Sequence, residues 1–431
     1  MRVLDLKLVR QQPDLVRAGL RARGGEPAQV DAILEIDRRR RDLLTSIESL
    51  RSEQKKASVE IARLRGAEQQ QRITAARTLS DRLGSQEGAL RSIEQELEPR
   101  LRALPNLPHD SVPVGRDPSA NAIVRTWGRP PDFAFTPRDH VDLGSALGIV
   151  DLERGAKVSG SRFYYLLGDG ALLEMALIRY ALEDVLTRGF VPVITPVLVK
   201  PEVITGAWGG AAFDPQQTYH LPEDDLALVG TSEQSLAGLH MDEILEEERL
   251  PLRLAGLSWC FRREAGSYGR DVRGLYRVHQ FDKVEMFSYC HPARSWEEHE
   301  YLLSIEEAIL QGLRIPYRVV TLCTGDLGHS SAKTYDLEAW MPGRGDYGEV
   351  TSCSNTTDFQ ARRLRIRFRA RRGGSADFVH TLNGTAVATS RALIAVLENY
   401  QQEDGSVRVP DLLIPLMGGR TVLQPGPGGV P

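Results

Sequence analysis

The sequence is poor in cysteine and lacks several short motifs that mark well-known kinds of active site. Its four cysteines lie about thirty residues apart, at positions 260, 290, 323 and 353, so no CxxC pair of the kind that binds zinc is present. The sequence also has no Walker A motif, no GxSxG elbow and no HExxH pair. These absences exclude a P-loop, an α/β-hydrolase nucleophile and a zincin site. A nucleotide site would have to be built from other residues.

Long hydrophobic runs are missing as well. No stretch of about eighteen apolar residues suggests a membrane span, and the N-terminal MRVLDLKLVRQQPDLVRAG is too charged for a signal peptide. With so few cysteines, this predicts a reduced, cytoplasmic protein with no membrane partner. The 54 basic and 58 acidic residues give a net charge of −4, which removes any argument from overall charge for binding to DNA or other nucleic acid. A basic surface would have to be local.

The chain divides into stretches of different composition, and its 431 residues have room for two or three domains. We predict an N-terminal helical domain over 1–104, a proline-rich ordered linker over 105–118 and a Gly/Pro-rich flexible tail over 419–431. Between them, over 119–418, apolar helical stretches alternate with β-branched runs such as VPVITPVLV. This alternation predicts one large α/β or α+β domain.

Within the N-terminal domain, residues 30–104 carry an apolar seam. Gly66 and the polar GAEQQQ that begins there separate two arms, so the pattern predicts an antiparallel coiled-coil hairpin with its tip at this point. A helix of about 35 residues is roughly 50 Å long, longer than a small domain is wide. The seam steps by four and three residues through positions 43, 47, 50, 54, 57, 61 and 64, and again through 79, 83, 86, 90, 93, 97, 101 and 104.

The periodicity leaves the use of this hairpin open. It suits a solvated coiled coil for dimerisation and a binding arm equally well, and its 15 basic and 13 acidic residues do not decide. Basic residues do cluster, as Arg38, Arg39, Arg40 and Arg41 and as Lys55 and Lys56, although a charge run is usually only a solvated face.

The stretch CFRREAGSYGRDVRGLYRVHQFDKVEMF, residues 260–287, has alternating ends and a Gly-rich middle, which predicts two antiparallel strands joined by a loop. Because alternate side chains of a strand share a face, one face would carry cations, an aromatic ring and carboxylates. This combination suits a nucleotide with an attached amine. The alternative is a surface hairpin with salt-bridged rungs, which does not account for His279 and Phe281 among the charges. The predicted face comprises Arg262, Glu264, Arg277, His279, Phe281, Lys283 and Glu285.

Three further segments contain residues that could do chemistry. Glu349 and Ser352, on a predicted strand, could place hard oxygens around a Mg²⁺ ion that bridges phosphates. Arg391 follows a predicted strand and Gly turn, on the first turns of a helix, where it could meet a polyphosphate or be only a surface charge. Thr231 is predicted to cap a helix, and this alone would explain the Thr-Ser-Glu that begins there.

Taken together, these segments closely resemble the seryl-tRNA synthetases of the bacterial and organellar type, within the class II aminoacyl-tRNA synthetases. The resemblance covers nearly the whole chain and rests on three motifs in order. They are GFVPVITPVLV with Pro196, the stretch 260–287, and NGTAVATSRALIAVLENY, all preceded by the helical arm. The resemblance implies an α+β fold, with an antiparallel sheet flanked by helices, an N-terminal coiled-coil arm, and assembly as a homodimer.

It also implies an ATP-dependent, AMP-forming ligase for L-serine with Mg²⁺ as cofactor. The tRNA partner would be serine tRNA and, in a host that has one, selenocysteine tRNA, bound by the arm with its clusters 38–41 and 55–56. The implied catalytic residues are Arg262, Arg391 and Glu349, and Glu349 and Ser352 are the implied magnesium ligands. The implied ATP-binding set is Arg262, Arg263, Glu264, Val278, Phe281, Glu349, Val350, Thr351, Ser352 and Arg391, and the serine-binding set is Thr231, Ser232, Glu233, Glu285 and Thr385.

The chain departs from the family pattern at a few positions. Ser232 stands where the family more often has Ala, Thr385 stands where it has Ser, and the stretch 206–220 is unlike the usual form. Two other functions remain to be weighed. A ligase that loads an amino acid onto a carrier protein would lack the N-terminal arm. A catalytically dead scaffold would be expected to have lost Arg262, Arg391 or Glu349.

Overall fold

The computed structural model describes residues 6–210, 213–265, 274–370 and 373–426. The chain forms two compact units, Met1–Leu104 and Pro105–Pro431, which we call the helical unit and the sheet unit. None of the helices in the described ranges combines the length and the apolar character that a bilayer crossing requires.

The helical unit contains four helices, and the two long ones form the predicted hairpin. Every position of the predicted seam is buried or partly buried, which confirms the helical period. Two short helices precede the hairpin and bury Leu6, Val9, Val16 and Leu20. The helices are α1 (Leu6–Gln11), α2 (Pro13–Ala22), α3 (Ala28–Ile61) and α4 (Gly66–Ala103).

The tip of the hairpin lies earlier than predicted. The chain reverses between Ile61 and Gly66, and the polar residues 66–71 form the first turns of α4 instead of the turn. Gly66 has a φ of +66°, a conformation that glycine adopts without strain, so it marks the boundary of the turn and not its centre.

In the described part of the sheet unit there are eight further α-helices and eighteen strands. The helices are α5 (His140–Ala146), α6 (Leu152–Ser159), α7 (Asp169–Thr187), α8 (Pro201–Trp208), α9 (Ser232–Gly238), α10 (Ser295–Gly312), α11 (Phe359–Leu364) and α12 (Thr389–Asn399). The strands are β1 (Ala122–Trp127), β2 (Val150–Asp151), β3 (Tyr165–Leu166), β4 (Val191–Ile194), β5 (Leu198–Val199), β6 (His220–Leu221), β7 (Leu226–Leu228), β8 (Ile244–Glu246), β9 (Leu252–Phe261), β10 (Gln280–Cys290), β11 (Tyr317–Thr321), β12 (Lys333–Met341), β13 (Asp346–Thr357), β14 (Arg367–Arg369), β15 (Asp377–Phe378), β16 (His380–Ala388), β17 (Val407–Arg408) and β18 (Val422–Leu423).

An eight-stranded sheet dominates this unit, in the order β1-β11-β12-β13-β16-β10-β9-β4. All its neighbouring pairs are antiparallel except β4 with β9, which confirms the predicted α+β class. Helices α7, α10 and α12 bury their apolar faces in the main core together with inward side chains of the sheet. The central strands β13, β16 and β10 pack against this core, and they carry seven of the fifteen residues predicted to bind ATP and serine.

The structure adds local detail to three of the predicted segments. Gly384 does not form a turn before α12. It lies within β16, paired with Met286 and Cys353. Glycine is needed at this position because a Cβ would lie 2.9 Å from the Glu306 carboxylate. The segment after Leu104 packs within the sheet unit, where Asn106 donates to two backbone carbonyls. Within the stretch predicted as a flexible tail, residues 422–423 form β18, which pairs with β17 and buries Leu423.

Candidate active site

A cavity of about 750 Å³ opens where β9 ends at Phe261 and β10 begins at Gln280. Side chains from β10, β13, β16, α12 and the start of α9 line it, so the sheet assembles the cavity from segments far apart in sequence. Among the predicted residues that line it are Arg262, Glu264, Val278, Phe281, Glu349, Val350, Thr351, Ser352 and Arg391 of the ATP set, and Thr231, Glu233 and Thr385 of the serine set.

Arg262 and Phe281 form one side of the cavity. The Arg262 guanidinium lies 5.4 Å from the centroid of the Phe281 ring, and its Nε donates to the Gly230 carbonyl at 3.1 Å. Its backbone is held as well, since His279 Nδ1 lies 2.8 Å from the Arg262 carbonyl oxygen. Within the part of the chain that the structure describes, Arg262 makes no ion pair with a carboxylate. Its charge is therefore available to an anion.

The predicted strands of this hairpin are shorter than expected. Arg262 and Glu264 follow the end of β9, and Arg277 and His279 precede β10, so the two-residue alternation covers only Phe281, Lys283 and Glu285 of the predicted face. The reason lies in the backbone, because Glu264 has a φ of +47° and cannot continue an extended strand. Its carboxylate instead accepts from Arg277 Nη1 at 3.1 Å. Most of the predicted loop, residues 266–273, lies outside the described residues.

Arg391, which also lines the cavity, is held by a carboxylate and a ring. Its Nη1 donates to Glu349 Oε1 at 2.6 Å, and its guanidinium lies 4.9 Å from the centroid of the Tyr276 ring. Burial raises the pKa of the Glu349 carboxyl, but the charge and hydrogen bond of Arg391, together with the charges of Arg262 and Lys283, outweigh burial and lower that pKa. The carboxylate therefore stays ionised and can bind a cation.

A β-bulge brings Glu349 and Ser352 to the same cavity. Residues three apart on a regular strand face opposite sides of the sheet. Here Glu349 pairs with Glu338 and Thr351 pairs with Leu337, so Val350 is an extra residue that shifts the alternation. As a result, all four residues from Glu349 to Ser352 contribute to the lining.

The start of α9 supplies a buried carboxylate. Thr231 caps this helix and accepts from the Glu233 backbone N–H at 3.2 Å, which confirms the predicted cap. Glu233 Oε1 accepts from Gln360 at 2.7 Å and from Asn383 at 3.0 Å. Burial raises the pKa of the Glu233 carboxyl. A ligand ammonium would compensate this buried group.

A buried ion pair lies at the floor of the cavity. The Lys283 ammonium pairs with the Glu285 carboxylate and donates to Thr231 Oγ1 at 3.4 Å. Glu285 is paired with Thr385 across the β10–β16 register and is only 1% exposed. Burial raises the pKa of the Glu285 carboxyl to about 7.

Three predicted residues are not part of the cavity lining. The Ser232 hydroxyl points away and donates to the Gly256 carbonyl at 3.1 Å. Arg263 lies outside, with its guanidinium 5.4 Å from the centroid of the Tyr219 ring. Glu285 lies beneath the surface, behind Lys283.

Sequence reasoning missed several residues of the site. Tyr276 and Trp208 line the cavity, and Lys283 had been placed on the right face without a role. Glu306 lies beneath the cavity on the apolar face of α10, accepting from Thr351 Oγ1 at 2.6 Å and from the Thr385 N–H at 2.8 Å. Burial raises its pKa well above the usual range. An acid within an apolar helical stripe was a signal that could have found it.

In the helical unit, the predicted basic clusters differ in their surroundings. Arg39 pairs with Glu96 at 3.1 Å and Arg40 with Glu94 at 3.0 Å, across the hairpin. The other two arginines of the cluster also pair, Arg38 with Glu35 and Asp42, and Arg41 with the buried Asp37. Lys55 and Lys56 are exposed, and the described residues hold no carboxylate in an ion pair with either.

Two family models match this chain. Residues 3–108 match the seryl-tRNA synthetase N-terminal domain, and residues 218–400 match the class II tRNA synthetase core domain for G, H, P, S and T. A serine–tRNA ligase of Rubrobacter xylanophilus is 49% identical over 98% of this chain and 99% of its own length.

Solved structures give the same likeness. A seryl-tRNA synthetase of Pyrococcus horikoshii, crystallised in complex with ATP, is 44% identical with a TM-score of 0.94, over 98% of this chain and 100% of that one. A cytoplasmic serine–tRNA ligase of Naegleria fowleri in complex with AMP is 34% identical with a TM-score of 0.88, over 98% of this chain and 99% of that one.

Proposed function

This chain belongs to the seryl-tRNA synthetase family of class II enzymes, and from that premise we propose that it is an ATP-dependent serine–tRNA ligase. The sheet unit is the catalytic domain and the helical unit is the tRNA-binding domain. The observation that carries the proposal is the cavity that Arg262, Phe281 and Arg391 line together.

ATP fits this cavity through charge and stacking. The purine would stack on Phe281 beside Val278, with the α-phosphate at Arg262 and the outer phosphates toward Arg391. Guanidinium groups suit phosphate because their planar N–H groups form charge-assisted hydrogen bonds with its oxygens. Arg262, free of a carboxylate within the described residues, would meet the phosphorus at which charge develops.

The reaction has two steps. The serine carboxylate attacks the α-phosphorus, pyrophosphate leaves, and seryl-adenylate remains in the cavity. A terminal ribose hydroxyl of the tRNA then attacks the activated carbonyl carbon, and AMP leaves. Neither step needs a covalent nucleophile from the protein, so the side chains act by positioning the reactants and stabilising charge.

The residues at the β13 bulge suit a magnesium ion. Mg²⁺ prefers oxygen ligands and is commonly bound by one or two carboxylates together with substrate phosphates. Glu349 supplies an ionised carboxylate and Ser352 a hydroxyl, and both line the cavity. The described residues contain no cluster of three or more His, Cys, Asp or Glu that could hold a metal alone. When bound, the ion would neutralise phosphate charge.

Serine would bind at the end of the cavity formed by α9 and β16. The Glu233 carboxylate would accept from the serine ammonium, since burial otherwise leaves this charge poorly compensated. Thr231 and Thr385 offer hydroxyls for hydrogen bonds to the substrate. Glu285 acts from beneath, by holding the Lys283 ammonium at the floor.

The hairpin would bind the tRNA. Its exposed lysines, Lys55 and Lys56, are better placed for phosphate contacts than the cluster Arg38–Arg41, whose charges are already paired. The arginines could contact phosphate only by exchanging these partners. In a host with a selenocysteine tRNA, that tRNA would also be charged with serine.

The proposal includes a homodimer that acts in the cytoplasm, where tRNA is charged and used. The dimer is supported by several large apolar side chains that are exposed on neighbouring elements of the sheet unit. They include Ile194 at 90%, Met175 at 64% and Trp259 at 57%, on β4, α7 and β9. Apolar exposure of this kind often marks a protein interface.

The test is serine-dependent exchange of radiolabelled pyrophosphate into ATP, followed by aminoacylation of serine tRNA. A serine–tRNA ligase supports both reactions. Exchange without transfer to tRNA would favour a carrier-protein ligase, and the absence of exchange would favour an inactive scaffold.

A further inference from the structure

Trp208 is a cavity residue to which the resemblance assigned no role. It is the last residue of α8 and lies in the stretch 206–220, which departs from the family pattern. Its side chain lines the cavity next to Glu233, and its indole Nε1 donates to Glu233 Oε2 at 3.4 Å. The ring therefore stands beside the carboxylate that we propose for the serine ammonium.

The position of the indole is fixed by close packing. Gly230 lies against the ring, since a Cβ at this residue would come within 2.5 Å of Trp208 Cη2. Helix α8 is itself held against α11, where a Cβ on Gly206 would lie 2.4 Å from Leu364 Cδ2. An aromatic side chain has only two rotatable bonds, so this packing restricts the orientations open to the ring.

The two oxygens of Glu233 have different partners, and the difference indicates which oxygen a substrate ammonium would reach. Oε1 accepts from the amides of Gln360 and Asn383. Oε2 accepts only from the indole among the described residues, and over a longer distance, so it keeps capacity for a ligand donor. An amino acid whose ammonium reached Oε2 would have its side chain close to the Trp208 ring.

We propose that Trp208 is a specificity-determining wall of the amino-acid pocket, which excludes side chains larger than that of serine. The inference rests on the proposed function. Threonine differs from serine by one methyl group, and a rigid ring can reject that methyl by steric contact. One extra methyl or methylene group is typically worth about 10–200-fold in discrimination.

The test measures kcat/KM for serine and for threonine in pyrophosphate exchange, with W208A, W208L and W208F. For W208A we expect the serine-to-threonine ratio to fall by about 10–200-fold. W208L should give a smaller fall, and W208F, which keeps an aromatic ring but loses the N–H and part of the bulk, should retain more of the discrimination than W208L. Thermal unfolding establishes that each variant is folded, and W208L replaces W208A if the alanine variant does not fold.

The matched control is W340A, because Trp340 lies on β12 against Tyr347, outside the cavity lining. Its ratio should equal that of the unaltered enzyme. An unchanged serine-to-threonine ratio in folded W208A or W208L would show that Trp208 does not limit the size of the amino-acid side chain. The proposed function would remain intact. If the unaltered enzyme shows no serine-dependent exchange, the proposed function itself fails.

Discussion

The helical unit and the sheet unit differ in the charge pairs that matter for their tasks: those of the hairpin are mostly exposed, whereas the pair at the cavity floor is buried. On the hairpin, arginines and glutamates form ion pairs at the surface, such as Arg51 with Glu87, whose side chains are 62% and 33% exposed. In the cavity, Lys283 and Glu285 form a pair in which the carboxylate side chain is 1% exposed. Exposed pairs contribute about 0–1 kcal/mol and can exchange partners, whereas a buried charge left without its partner costs several kcal/mol.

This difference matches the two tasks that we assign to the units. A surface that binds the phosphates of a long RNA can use charges that move and exchange partners, because contact with the backbone tolerates adjustment. A site that positions ATP and serine cannot, because a displacement of about 1 Å can cost on the order of 100-fold in rate. The following predictions test this contrast, beginning with the largest effect.

Replacing Arg262 or Arg391 with alanine should reduce adenylate formation by about 10²–10³-fold. Each change removes one fixed donor from the point where phosphate charge develops, which typically costs this much. The measurement is serine-dependent pyrophosphate exchange.

The matched control for these two changes is R408A, which removes an exposed arginine that lies against Tyr400, outside the cavity lining. It should leave exchange unchanged. Near-normal exchange in R262A or R391A would mean that the cavity positions phosphate by other groups, and the contrast between fixed and exchangeable charges would lose its basis.

A smaller effect is expected for Thr385, whose side chain would serve as a hydrogen-bonding partner in the serine pocket. T385A should lower the serine-to-alanine ratio of kcat/KM by about tenfold. A single net hydrogen bond is worth about 1.4 kcal/mol, which corresponds to this factor. T385S keeps the hydroxyl and should retain the ratio. If T385A also retains it, Thr385 does not contact the substrate hydroxyl.

The smallest effect should come from the hairpin. K55A and K56A should each weaken tRNA binding across all sequences and reduce the slope of log K against log salt concentration by about 1. The double variant R39A/E96A removes a pair without changing net charge and should leave the slope unaltered. Equal effects of both kinds of change would show that paired and unpaired cations on the hairpin are equivalent.

The two units also differ in how far their sequences predict them. The hairpin could be predicted from the spacing of Leu43, Ile47 and Leu50 and their successors, because a helix is set by residues three and four apart. Its turn was misplaced, since polar residues such as those at 66–71 suit either a turn or an exposed helix. Helix α9 could likewise be predicted from its cap at Thr231.

The cavity could be predicted only in part. Individual residues such as Arg262 and Arg391 stood out by their type and motif, and the resemblance grouped them. The β-bulge at Val350 and the place of Trp208 in the cavity lining depend on how strands and helices meet in three dimensions. Glu264, at a φ of +47°, ends the strand alternation that the sequence pattern had extended through it.

The central claim is that activation of serine belongs to the sheet unit and recognition of tRNA to the helical unit. The most direct measurement compares aminoacylation with pyrophosphate exchange in a variant that begins at Pro105. The whole helical unit should be removed, because α1 and α2 bury their apolar residues within it. We predict exchange close to that of the full chain and loss of aminoacylation. Full aminoacylation by the shortened enzyme would contradict the claim.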